Sequence, residues 1–221
     1  MLDFGLMSIT FNQPDGLYLQ TPATLAQLLE DETLRTFAGG LLHAAIVESC
    51  NLQSATCNLS LAEALHDAGG PATYPMLTAL LVLDAEVHTQ LGDERRVLPL
   101  PAFLSYRPSL PPDKVPPESV RLPPLNPGGR YTFAVSGDGA WLAVRLDLHE
   151  RLRVAGHVRL ALSSPARPPL RLRAVEDRLE RQVMTGDLIK AAVAGGNEDL
   201  TAPLTPMERA ALVDALHRRL R

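Results

Sequence analysis

Cysteine is nearly missing from this chain: Cys50 and Cys57 are the two in 221 residues. That excludes a disulfide framework and a thiolate-rich metal set, and their spacing is wrong for a C-x-x-C redox pair. Two buried structural thiols in a reduced, cytoplasmic protein are the expectation. Aromatic residues are also scarce, at 5% with a single tryptophan. Tyr74, Tyr106 and Trp141 are therefore assigned to core or interface packing ahead of any role in stacking on a planar ligand. Basic charge is not in excess. A net charge of -4 and a pI near 5.9 leave no footprint for nucleic acid or an anionic membrane surface. No apolar run reaches bilayer length, and the opening MLDFGLMSITFNQ lacks the basic-then-apolar pattern of a secretory leader. The six histidines fall on unrelated segments without an H-E-x-x-H pair, so no metal site is expected. G-x-S-x-G, P-loop and Rossmann fingerprints are missing, as are internal repeats.

What is present reads as an α+β chain. Ile9 and Phe11, then Leu17 and Leu19, alternate with polar residues around Pro14-Asp15-Gly16, which predicts two short strands. A helix capped by Thr21 with Pro22 in its first turn follows, and Gly39-Gly40 breaks the pattern. Helices are predicted near Leu41–Ser49 and Pro75–Val82, with a hairpin over Glu86–Leu100 around Gly92-Asp93. Ten prolines between Pro99 and Pro127 predict a stiff connector, densest over 107–126, with Val120–Leu122 as a short edge strand. Beyond Gly128-Gly129, three antiparallel strands with one buried face are expected over Arg130–Leu162, ended by Pro165, Pro168 and Pro169. Helices near Leu172–Gln182, Thr185–Ala194 and Pro206–Leu220 complete the chain. The arginines between Arg151 and Arg181 are interleaved with Glu176, Asp177 and Glu180, and read as a solvated, salt-paired surface.

Several segments, in order, resemble the FAD-binding (medium) subunits of molybdenum hydroxylases of the carbon monoxide dehydrogenase and xanthine dehydrogenase type. Ala55, Thr56, Asn58 and Leu59 are similar to that family's Ala-Thr-x-Gly-Gly-Asn segment. Leu83, Asp84, Ala85, Glu86 and Val87 match its Leu-Asp-Ala-Glu-Val run. Arg96, Val97, Pro99, Leu100 and Phe103 resemble Arg-x-Val-Pro-Leu-x-x-Phe, and Arg121-Leu122-Pro123 resembles the strand that closes the flavin domain. Pro169, Arg171 and Glu176 fall at the Pro-x-Arg…Glu positions of the C-terminal domain. The resemblance implies two units: a remnant of the FAD-binding domain over 1–126, and a C-terminal-like domain over 127–221. In the second, a three-stranded antiparallel sheet packs on a three-helix bundle.

Departures from the family pattern bear on function. The family's N-terminal subdomain, with its Ala-Gly-Gly-Thr phosphate loop, has no counterpart. Phe37-Ala38-Gly39-Gly40 looks like such a loop, but its place after a predicted helix favours a C-cap. The paired glycines give way to Cys57, the acidic loop residue to Thr73, a small residue to Gln20 and a lysine to Ala134. Two readings follow. In the first, the flavin site has lost its independent hold on FAD, and the chain is a scaffold or interaction subunit with no cofactor and no catalysis of its own. In the second, it is an oxidoreductase subunit that passes electrons through FAD from an iron–sulfur partner, with Thr56, Asn58 and Thr73 nearest the pyrophosphate. Partners implied in either case are iron–sulfur and molybdenum subunits, or a second copy.

Overall fold

The computed structural model describes residues 9–66, 70–91, 93–107, 115–149, 151–196, 200 and 202–220. Gly92 of the predicted hairpin, and Pro108, Pro111 and Pro112 of the connector, lie outside the described residues.

Thr10–Gln13 (β1) and Gly16–Gln20 (β2) form the first antiparallel pair. The carbonyl oxygen of Leu122 stands 2.3 Å from where a Cβ on Gly16 would be, so this approach needs glycine. Beyond β2 lie Pro117–Leu122 (β5), Glu86–Leu91 (β3) and Glu94–Pro99 (β4), in the order β1-β2-β5-β3-β4. Leu17 pairs with Leu122, and Leu19 and Val87 both face Val120, so these five buried side chains share one face. Val120–Leu122 is therefore at the middle of a sheet and not on the edge of a connector. Proline density misleads here because Pro117 is the first strand residue, where a missing N–H is tolerated, and Glu118 to Leu122 supply the ladder's donors. Leu100–Tyr106 (α6) likewise accepts Pro101 in its first turn.

Leu25–Glu30 (α1) starts at Thr24, not Thr21. Thr24 makes a reciprocal capping box with Gln27, while the Thr21 hydroxyl donates to the carbonyls of Pro117 and Glu118 at 2.6 and 2.8 Å. Asp31 caps a separate helix, Glu32–Thr36 (α2), by accepting from Thr33 and Leu34. Leu41–Leu52 (α3), Leu61–Leu65 (α4) and Tyr74–Val82 (α5) follow.

The second sheet has four strands, Gly129–Val135 (β6), Trp141–His149 (β7), Val154–Ser164 (β8) and Arg167–Arg171 (β9), in sequential antiparallel order. Pro168 and Pro169 lie within β9 and do not end the sheet, because an edge strand leaves one side without a ladder. Arg173–Leu179 (α7), Gly186–Gly195 (α8) and Pro206–Arg218 (α9) cover one face. The other face is covered too, against the expectation of a single buried face. Trp141, Ala143, Arg145 and Asp147 are all buried, and α5 packs across β7, β8 and β9. Every residue of α5 from Pro75 to Val82 is buried, the pattern of a helix enclosed on all sides. The sheet thus divides two cores. Leu142, Val144, Leu160 and Leu162 face α7–α9, whereas Tyr131, Ala143 and Ala161 join the core of the first sheet, α3 and α5.

α9 begins as its sequence predicts. Thr205 forms a capping box with Glu208 and also donates to Asp138 at 2.8 Å. Thr205→Ala is expected to lower stability by about 1 kcal/mol, measured as a shift in the urea midpoint. An unchanged midpoint would show that this cap contributes nothing.

Candidate functional site

The segment that resembles the flavin motif leaves the C-terminal end of α3 and winds into a 3-10 turn over Ser54–Asn58. Cys57 on that turn is disulfide-bonded to Cys50 on the helix, with their Cα atoms 5.0 Å apart, within bridging reach. The expectation of two free structural thiols is corrected. The helix exit doubles back, and a sequence separation of 7 becomes a spatial contact. With the thiols paired, cysteine usage no longer argues for a reducing compartment.

The three candidate binding residues lie on two turns, both packed on α3. Thr56 is buried, and among the described residues its Oγ1 has no hydrogen-bond partner. Asn58 is exposed. Thr73 ends the 3-10 turn Gly70–Thr73, is fully buried, and donates its hydroxyl to the Gly70 carbonyl at 2.9 Å. The backbone N–H groups of Thr56 and Leu59 are bonded to the carbonyls of Gln53 and Thr56 at 2.9 and 3.1 Å. A pyrophosphate cradle needs open, convergent amides. This turn has turned those two inward and is tied by a disulfide, so as placed it does not fit a flavin pyrophosphate. Of the other departures, Gln20 ends β2 half-buried. Ala134 packs toward the α7–α9 core, so a missing lysine there does not touch this segment.

The Leu83–Val87 run is a joint. Asp84 follows α5 in the left-handed region, φ 51°, and its carboxylate gathers cations from three strands of the second sheet. Arg159 Nε and Arg171 Nη1 each donate to Oδ1 at 3.0 Å, His157 Nε2 lies 3.0 Å from Oδ2, and Arg145 Nη1 is 3.5 Å away. Burial raises the Asp84 carboxyl, but the His157 hydrogen bond and the charges of Arg159 and Arg171 outweigh it and hold the group below its ordinary 3.8. Two residues on, Glu86 accepts from Arg121 Nε and Nη2 at 3.0 and 2.6 Å, joining β3 to β5. Arg159 and Arg171 therefore belong to a part-buried network, not to a solvated salt-paired surface. Trp141 is buried and donates to Glu48 at 3.2 Å, while Tyr106 is exposed. Among the described residues no three His, Cys, Asp or Glu side chains are grouped to hold a metal ion. No helix among them is long and apolar enough to cross a membrane.

No protein-family model matches the sequence, and no characterised protein matches it at the level of sequence. Solved structures do match in fold. A carbon monoxide dehydrogenase from Hydrogenophaga pseudoflava that lacks the Mo-pyranopterin moiety of the molybdenum cofactor superimposes with a TM-score of 0.71 at 17% identity, over 95% of this chain and 75% of that one. Reconstituted CO dehydrogenase from Oligotropha carboxidovorans gives 0.66 at 16%, over 96% and 75%. Quinoline 2-oxidoreductase from Pseudomonas putida 86 gives 0.68 at 14%, over 96% and 79%. At such identities the shared property is the fold, and it is the fold that the sequence resemblance points to.

Proposed function

We propose that this chain keeps the fold of a molybdenum-hydroxylase flavin subunit while acting as a scaffold or interaction subunit, without an independent hold on FAD and without catalysis of its own. The Cys50–Cys57 bridge is the observation that carries this reading, because it fastens to α3 the turn that would have to open around a pyrophosphate. The inward amides of Thr56 and Leu59 and the buried Thr73 hydroxyl support it. Iron–sulfur and molybdenum subunits of a hydroxylase, or a second copy of the chain, are the partners this reading implies. A division near residue 126 into a flavin-type unit and a C-terminal unit belongs to the same proposal, with 117–122 assigned to the first sheet.

One observation favours the second reading, an electron-transfer subunit. The buried, unpartnered Oγ1 of Thr56 is the kind of atom a bound oxyanion satisfies. FAD, when bound, would supply the redox chemistry, taking electrons from an iron–sulfur partner, while Thr56, Asn58 and Thr73 orient its pyrophosphate.

The visible spectrum of the purified full chain, before and after incubation with FAD and with and without a thiol reductant, separates the two. The expected result is a colourless protein that retains no FAD on desalting in either condition. A stoichiometric flavin spectrum that survives desalting overturns the scaffold reading. Uptake confined to the reduced chain overturns it as well, and identifies the bridge as what shuts the site.

A further inference from the structure

We propose that the Cys50–Cys57 bridge is a reversible redox latch, and that its reduction by a dithiol lets the Ser54–Asn58 turn lift off α3. The latch acts on the turn that carries the scaffold reading. It needs only the bridge, and neither the presence nor the absence of FAD, so the two can fail separately.

The bridge lies where a reductant can reach it. Cys50 is in the last turn of α3, Cys57 is on the 3-10 turn that follows, and both are half-buried. Gln53, Ser54, Ala55 and Asn58 around them are exposed. Cys50 packs against the core of the first sheet, so Cys57, next to the exposed Asn58, is the sulfur an attacking thiolate meets first. These are the two cysteines of the chain, so once reduced they have no third thiol with which to reshuffle.

Release is confined by what holds the chain on either side. α3 is anchored by Leu42, Ala45, Ile46 and Ser49, all buried. Past the turn, Leu25 N–H donates to the Leu59 carbonyl at 2.9 Å, and Leu61 and Ala62 N–H donate to the carbonyls of Ala23 and Thr21 at 2.8 and 3.0 Å. The turn's own backbone bonds, such as Thr56 N–H to the Gln53 carbonyl at 2.9 Å, are local and can travel with it. A bridge with a sequence separation of 7 closes a small ring and restrains little of the unfolded chain. The rest of the fold therefore does not depend on it.

Thr56 biases the turn towards opening. It is 1% exposed, and among the described residues its Oγ1 has no hydrogen-bond partner. A buried hydroxyl without a partner carries its full desolvation cost. Cys57, the next residue, holds Thr56 in place against that cost while it is bonded to α3. Once the sulfurs part, outward movement of the turn hydrates the hydroxyl. The closed turn is thus favoured in the oxidised chain and the open turn in the reduced one.

The exchange balances with a dithiol as co-reactant. One of its thiolates attacks Sγ of Cys57, forming a mixed disulfide and releasing Cys50 as a thiolate that takes up a proton. The second thiol then displaces Cys57, and the co-reactant leaves as a cyclic disulfide. Two electrons and two protons pass to the two cysteines.

Treatment of the full chain with dithiothreitol, without denaturant, followed by thiol counting with a maleimide mass tag and by hydrogen–deuterium exchange, tests the latch. The expected result is no tag before treatment and two after it. Exchange over 51–58 alone should become about tenfold faster, and oxidised glutathione should reverse both changes. Thr56→Val fills the same space without the hydroxyl. It should be reduced as readily, yet exchange near the oxidised rate. The Cys50→Ala/Cys57→Ala double variant should exchange fast without reductant while keeping the protection of the buried α5, which shows that local opening and not unfolding is the cause. Two tags on the chain after oxidised glutathione, a bridge that yields only in denaturant, or unaltered exchange over 51–58 on reduction overturns the proposal. So does loss of protection in α5 on reduction, or a Thr56→Val chain that opens as wild type does.

Discussion

Asp84→Asn is expected to destabilise the chain by about 3 kcal/mol and to lower its melting temperature by roughly 6–12 °C. The carboxylate is the common partner of Arg145, His157, Arg159 and Arg171, and its side chain is 28% exposed. Removing its charge leaves the Arg145, Arg159 and Arg171 guanidiniums facing one another with less screening than at an open surface. Asparagine isolates this effect, because it tolerates the left-handed backbone that Asp84 adopts. Asp84→Ala should lose about a further 1 kcal/mol through that backbone. The pH dependence has a definite sign. The folded carboxyl titrates below 3.8, so its stabilisation is complete above that value and is lost as pH falls through the lower, folded one. The gap between wild type and Asp84→Asn should hold steady from neutral pH down to about pH 4 and close below it. Thermal melts across that range would sink the idea if the variant matched wild type throughout.

The Leu83–Val87 run was legible as a family marker, but its physical work was not. The partners of Asp84 lie 73, 75 and 87 positions further along, and nothing local announces them. Strand alternation pairs polar with apolar residues, which reads as one wet face and one dry face. In β7 the polar face is buried under α5, so Arg145 and Asp147 become interior groups. A second covering layer leaves no mark on a strand's own sequence. The start of α9 and the C-terminal helices were readable because capping and apolar periodicity are local. The first helix, by contrast, reads from sequence as capped by Thr21 and is capped by Thr24. The misreadings at Pro117, Pro168 and Pro169 share one cause. A proline's effect depends on whether its place in the ladder needs a donor, and that is decided by distant strands.

The candidate site was legible in the same uneven way. Thr56, Asn58 and Thr73 could be located by resemblance. Which of their atoms face inward depends on how the end of α3 folds back, which neither cysteine reveals by itself.

Glu176→Ala carries the second large expected effect, about 3–5 kcal/mol and roughly 6–20 °C in melting temperature. Glu176 lies in α7 and is 3% exposed. Its Oε1 accepts from the Leu160 N–H at 2.8 Å and from Arg171 Nε at 2.9 Å, while Oε2 takes Arg171 Nη2. β9 pairs with β8 only over Ala161–Ser164, so the carboxylates of Glu176 and Glu180 serve the edge of β8 that β9 does not reach, Glu180 accepting from Val158 N–H at 2.8 Å. Truncation at 176 leaves the buried Leu160 N–H without that acceptor and Arg171 with Asp84 as its remaining carboxylate among the described residues. Glu176→Gln should recover about 1–2 kcal/mol of the loss, because its amide oxygen can still accept from Leu160. Since Arg171 bridges the two carboxylates, Asp84→Asn and Glu176→Ala should not add, and a double-mutant cycle by urea denaturation should return a coupling of about 0.5–3 kcal/mol. Strict additivity would mean that the two sites are separate, and that the Pro169-to-Glu176 motif stabilises α7 alone instead of fastening the C-terminal sheet to the Leu83–Val87 joint.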